Sequence, residues 1–182
     1  IRKWYYERST FITYGFYRDA KKLSNPLLDN YFLYIGRLDN DTGIETYINV
    51  FKNLNNLNKK KFKLYILGDG KLKASLVKKN INNVKFLGWR NNTDKYIRDA
   101  KIVFTDGYLS ILQSLYFEKY VFSHYSNDLK KDYLLPLEKY GLFVTDNEGL
   151  MIKRIAQLLK MNRLINIKSK KIINKFSLDN LA

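Results

Sequence analysis

Apolar residues in this chain fall into short continuous runs, separated by segments where they recur every three or four positions. Tyr31 to Ile35 is apolar throughout, short and β-prone, as a strand covered on both faces requires. Ile44, Tyr47, Ile48, Phe51 and Leu54 follow at helical spacing, which predicts an amphipathic helix of about three turns. The succession repeats. Leu64 to Leu67 precede a helical segment from Leu72 to Val77, Val84 to Leu87 precede Tyr96 to Ala100, and Ile102 to Phe104 lead into Ile111 to Phe117. A fifth strand is expected at Val121 to Ser123 and a sixth at Leu142 to Val144. The sixth is followed by a helix from Glu148 to Leu159, whose Leu150, Ile152, Ile155, Leu158 and Leu159 share one face. Strands alternating with helices at this interval imply right-handed crossovers. The expected fold is therefore α/β, a Rossmann-like, doubly wound parallel sheet of about six strands. Upstream, Phe11 to Tyr14 reads as a further strand and Lys21 to Asp29, with Pro26, as a connector; Lys168 to Ala182 reads as a helix with a loose end.

Three Gly-centred turns follow predicted strands and lead towards helical patterns: Gly36-Arg37-Leu38, Gly68-Asp69-Gly70 and Asp106-Gly107-Tyr108. Turns at the carboxyl ends of parallel strands point backbone N–H groups and helix N-termini at an anion, so the repetition suggests one phosphate-bearing ligand. Arg37 is placed either to grip a phosphate with two parallel hydrogen bonds or to lie solvated in a loop. Gly68-Asp69-Gly70 reads first as a backbone reversal. Thr105 to Ser110 leaves a buried strand and enters a helix, where first-turn amides would bind an anion and Asp106, Ser110 and Gln113 would bond hydroxyls of a ribose or sugar. Asp106 or Ser110 as an N-cap, with Gln113 solvated, is the structural alternative. Asp39-Asn40-Asp41 has metal-ligand spacing but reads first as a cap for the helix starting near Gly43. His124 is either a phosphate donor or base, or an incidental loop residue.

Composition narrows the classes. The 182 residues suit one substantial domain. No apolar run approaches the ~20 residues that span a bilayer, which predicts a soluble chain. The chain begins at Ile1 rather than Met, as though an N-terminal portion precedes it. The absence of cysteine excludes disulfides, thiolate metal sites and cysteine nucleophiles, and a single histidine excludes multi-His metal clusters. A balance of 33 Lys+Arg against 17 Asp+Glu gives +16, which suits nucleic acid, an anionic membrane or a phosphorylated substrate. Nucleic acid is the weakest of these, because the aromatics fall at core spacing and the lysine clusters in a loop and on polar helix faces.

Six stretches in order carry a resemblance: Tyr-Ile-Gly-Arg-Leu at 34 to 38, Gly-Ile-Glu-Thr-Tyr-Ile at 43 to 48, Leu-Tyr-Ile-Leu-Gly-Asp-Gly-Lys-Leu at 64 to 72, Asn-Val-Lys-Phe-Leu-Gly-Trp at 83 to 89, Tyr-Ile-Arg-Asp-Ala-Lys-Ile-Val-Phe at 96 to 104 and Ile-Leu-Gln-Ser-Leu-Tyr-Phe-Glu-Lys-Tyr-Val at 111 to 121. With them the chain resembles the C-terminal, nucleotide-sugar-binding domain of GT-B glycosyltransferases, especially family 4, or glycosyl transferases group 1. The resemblance implies that residues 30–182 bind the donor and that residues 1–29 are a linker or the end of a missing N-terminal acceptor domain. It implies transfer of a sugar from a nucleoside-diphosphate sugar, UDP- or GDP-linked, to a saccharide, lipid or protein acceptor, without metal or other cofactor. The donor-binding positions it implies are Gly36, Arg37, Gly68, Gly70, Lys71, Trp89, Thr105, Asp106, Gly107, Tyr108, Leu109, Ser110 and Gln113; it identifies no catalytic residue here. The chain departs from the family at Thr42, where a lysine is usual, and at Thr105 or Asp106 and Gln113, where paired glutamates are usual. A non-catalytic nucleotide-sugar or protein binder is the alternative these departures leave open. The expected location is cytoplasmic, with the basic surface suited to peripheral contact with an anionic membrane.

Overall fold

Successive residues of the first strand alternate between two buried layers. In β1 (Tyr31–Ile35), all five residues are buried. Phe32 and Tyr34 point into one hydrophobic layer, while Tyr31, Leu33 and Ile35 point into another, as the two-residue period of a strand demands. The computed structural model describes residues 31–58 and 61–161. The sequence expectations for Phe11 to Tyr14, for Lys21 to Asp29 and for the tail from Lys168 lie outside them.

Besides β1 the strands are β2 (Lys63–Leu67), β3 (Val84–Gly88), β4 (Ile102–Phe104), β5 (Tyr120–His124) and β6 (Leu142–Thr145). All neighbours pair in parallel, in the order β3-β2-β1-β4-β5-β6. The helices are α1 (Ile44–Leu57), α2 (Lys73–Lys78), α3 (Asp94–Asp99), α4 (Tyr108–Tyr116), α5 (Asp128–Leu134) and α6 (Glu148–Lys160). One layer joins α1 and α6 to the sheet through Ile44, Tyr47, Phe51, Met151, Ile155 and Leu158. On the opposite face Ile97 of α3 packs beneath Leu33 and Val103, and Ile111, Leu112 and Leu115 of α4 cover Val121 and Val144. Phe104 stacks on Tyr47 with ring centroids 5.2 Å apart, so the middle of the sheet is filled by aromatic side chains. This is the expected Rossmann-like, doubly wound fold.

The six strands and the amphipathic helices stand where the hydrophobic pattern places them, within three residues at their ends. One region differs. Between β5 and β6 the chain forms α5 and then a 3₁₀ segment from Leu135 to Tyr140, neither of which the periodicity announces. Asn127 caps α5, its side chain accepting the Lys130 N–H at 2.9 Å, and Leu134, Leu137 and Tyr140 pack against α4 and β6.

Candidate functional site

β1 and β4 lie side by side, with Tyr34 opposite Phe104, yet the chain leaves them in opposite directions: β1 continues to β2 on one side and β4 to β5 on the other. Their carboxyl ends therefore diverge into a crevice, the place where open α/β sheets bind ligands. A cavity of about 840 Å³ opens there. Nine of the positions proposed from sequence line it: Gly36, Arg37, Gly68, Trp89, Asp106, Gly107, Tyr108, Leu109 and Ser110. Gly70, Lys71, Thr105 and Gln113 do not.

On the β1 side the polar groups pair largely with one another. Arg37 donates to the carboxylates of Asp39 at 2.9 Å and Asp41 at 2.8 Å. Its side chain is 66% exposed, so these pairs orient the guanidinium more than they stabilise the fold. Asp39 also accepts the Lys71 N–H at 3.0 Å, which ties the turn after β1 to the turn after β2. Neither carboxylate caps α1, whose N-cap is Gly43. Asp39 is instead the N-cap of the 3₁₀ turn Asn40–Thr42 that leads into α1, its backbone N–H donating to the Thr42 hydroxyl at 3.4 Å, while both carboxylates pair with Arg37. Thr42 is buried, and its hydroxyl donates to the Asp39 carbonyl at 2.7 Å. Below, the buried Tyr34 hydroxyl donates to the Arg37 carbonyl at 2.6 Å; burial pushes this phenol's pKa well above its ordinary value.

The β4 side is built differently. Thr105 is fully buried, and its hydroxyl oxygen accepts the Gly107 N–H at 3.2 Å. Gly107 is the N-cap of α4, and no side chain caps the helix. The first bond of the helix runs from Ile111 N–H to the Gly107 carbonyl at 2.9 Å, so the first turn presents its positive end to the cavity at Tyr108, Leu109 and Ser110. Gln113 sits one turn on, in the wall between helices: its carbonyl oxygen accepts from the Thr93 hydroxyl at 3.1 Å and its amide donates to Asp94 at 2.5 Å. It fastens α4 to α3 and leaves the cavity to Thr93.

Two charges come together at the base of this side. Lys130, on α5, donates to the Asp106 carboxylate and to the Asp41 carbonyl. The pair is enclosed, with side chains 11% and 7% exposed. Burial raises the Asp106 pKa above the usual carboxylate value, and the Lys130 ammonium partly offsets that rise. Tyr133 donates to the Asp106 carbonyl at 2.8 Å; burial, with the charges of Asp106 and Asp41, pushes its pKa up to about 12. Lys130 and Tyr133 escaped the sequence reading because α5 did. The local signal for α5 is the Asn127-Asp128 start, a capping residue followed by an acidic first-turn residue.

The mouth of the cavity is apolar, with Trp89, Leu109 and Leu129 all exposed. Trp89 is 74% exposed and donates its indole N–H to Asn91 at 3.0 Å. Arg90 is the third cation of the lining, giving Arg37, Arg90 and Lys130 against Asp41 and Asp106. His124 lies outside it: its backbone N–H donates to the Tyr47 hydroxyl at 2.7 Å and its ring stands beside Gly43. Among the described residues no cluster of three or more His, Asp and Glu could hold a metal ion, and no helix is long and apolar enough to cross a membrane.

An apolar-mouthed crevice with an uncapped helix N-terminus and cations on both sides has the chemistry to take a phosphorylated ligand bearing a flat or apolar group. Comparison with solved structures agrees on the fold. S. aureus TarM, in a complex that contains UDP, superposes with a TM-score of 0.70 at 20% identity over 87% of this chain and 35% of its own. The pneumococcal O-GlcNAc transferase GtfA, in complex with UDP and GlcNAc, gives 0.67 at 11% identity over 85% and 35%. WaaG, a glycosyltransferase involved in lipopolysaccharide biosynthesis, gives 0.63 at 14% identity over 85% and 44%. The chain thus spans less than half the length of these proteins. No curated protein matches its sequence. The family model described as glycosyl transferases group 1 matches residues 17–175, nearly the whole chain, and the protein belongs to that family.

Proposed function

We propose that this chain is the donor-binding part of a GT-B glycosyltransferase, taking a sugar from a nucleoside-diphosphate sugar and passing it to an acceptor held largely by a partner domain. The observation that carries the reading is the uncapped N-terminus of α4 opening into a cavity at the switch point of the sheet, with Arg37 across from it. The α4 first turn and Arg37 hold the diphosphate, and Trp89 stands at the mouth where the base or sugar is received. As the glycosidic bond of the donor breaks, charge grows on the departing diphosphate. Donors fixed in advance stabilise that charge in place of a metal ion. TarM and GtfA, which share the fold, both occur in complexes with UDP, which favours a uridine nucleotide. This chain spans 35% of the length of TarM, which leaves room for an acceptor-holding domain outside it.

A non-catalytic, nucleotide-sugar-binding relative is the second reading. Gln113 favours it, since it is neutral and spent on Thr93 and Asp94. Calorimetric titration of the full-length protein with UDP, GDP and their sugar conjugates, beside Arg37→Ala, tests the site. Saturable binding is expected, weakened about tenfold in the variant by loss of charge-assisted hydrogen bonds. A protein that binds none of these compounds overturns the donor-site reading. Binding without sugar transfer or donor hydrolysis selects the second.

A further inference from the structure

Resting on the diphosphate reading above, we propose that Lys130 is a direct ligand of the donor phosphates, delivered from α5 and held ready by Asp106. Its ammonium carries three N–H donors. Two are placed on the Asp106 carboxylate and the Asp41 carbonyl, and the side chain lines the cavity, where the third is available to an anion. The Asn127 cap fixes the start of α5 through the Lys130 N–H itself, so the backbone that carries the lysine is anchored at that residue.

The location explains the pair. Asp106 directly precedes Gly107, the N-cap of α4, so an uncompensated carboxylate there would repel any anion drawn to the first turn. Lys130 cancels that charge and puts a cation beside the helix end. A buried Lys–Asp pair is a poor source of stability compared with apolar packing, so its presence in a cavity wall calls for another use. Arg37 supplies the cation on the β1 side; Thr42, beside it, is neutral and spends its hydroxyl on Asp39. The second positive charge reaches the site from the other side of the switch point, and its bond to the Asp41 carbonyl joins the two sides.

The test compares a nucleoside diphosphate with its nucleoside. UDP and uridine, with the GDP and ADP pairs alongside, are titrated into the full-length protein, into Lys130→Met and into Lys130→Met/Asp106→Asn. The double variant removes the stranded charge. The proposal expects both variants to lose about tenfold or more of the preference for diphosphate over nucleoside, with nucleoside affinity unchanged. Recovery of the full preference in the double variant would show that Lys130 only neutralises Asp106, and would overturn the proposal. An equal loss for diphosphate and nucleoside would do the same, by making the role purely structural. If the unaltered protein binds no diphosphate, the donor-site reading itself fails, which is a different result from a protein that binds while Lys130→Met binds equally well.

Discussion

The turns on the two sides of the switch point look alike in sequence, each a strand, a glycine and a helix, yet they are made for opposite reasons. On the β1 and β2 side the glycine is demanded by the protein itself. Gly68 has φ +142°, and a Cβ there would lie 1.8 Å from the Gly36 carbonyl oxygen. The two turns are laced by backbone bonds, Gly36 N–H to the Leu67 carbonyl at 3.1 Å, Leu38 N–H to Asp69 at 2.9 Å and Leu72 N–H to Leu38 at 2.8 Å. On the β4 side Gly107 has φ −79°, open to any residue, and a Cβ would meet nothing nearer than 3.7 Å. One side is closed upon itself and the other is left open. A glycine after a strand therefore does not say whether a ligand or a neighbouring backbone requires it.

The largest effect expected from this contrast is at Gly68. Gly68→Ala drives a methyl into backbone that cannot yield, and adds the strain of a left-handed φ to a β-carbon. A loss of about 3 kcal/mol or more is expected, read as a collapse of Tm or as insoluble protein. A variant that melts within a few degrees of the parent would break the claim that this side is closed.

Next comes Lys130→Met, which strands the Asp106 charge and should cost about 3 kcal/mol near neutral pH. The pH dependence has a definite sign. The Asp106 pKa is already raised in the folded state by burial, so its contribution to stability is present below about pH 4 and is lost as pH rises through the folded value. Without Lys130 the folded pKa rises further and the loss grows. The gap in Tm between variant and parent should be wide at pH 7.5 and narrow towards pH 5. Equal gaps would mean that Asp106 is not the group left unpaired.

How much of this the sequence disclosed follows from the length and regularity of each piece. β1 and α1 were legible because five apolar residues in a row, then apolar positions at helical spacing from Ile44 to Leu54, leave no other reading. Arg37 and the Gly107 turn were legible because they sit at fixed offsets from such strands. α5 was not: seven residues hold too little periodicity, and Pro136 two positions beyond Leu134 suggests a loop. Lys130 went with it, since nothing in the sequence separates it from the other members of a set of 33 basic residues. Gln113 was singled out as a partner of a sugar hydroxyl or as solvated; its bonds to Thr93 and Asp94, brought to it by α3, were not foreseen. Contacts between distant helices leave no local mark.

The smallest and most telling expectation concerns Gly107. Since its backbone is ordinary and its surroundings are open, Gly107→Ala should change stability by no more than about 0.5 kcal/mol. The added methyl would stand at the N-cap of α4, where a phosphate must come close to meet the first-turn amides. Affinity for the nucleoside diphosphate should fall about tenfold, the loss of roughly one good hydrogen bond to a charged group, while affinity for the nucleoside holds. An unchanged diphosphate affinity would mean that the anion is held from the Arg37 side alone. The openness at Gly107 would then be slack in the fold rather than room kept for a ligand.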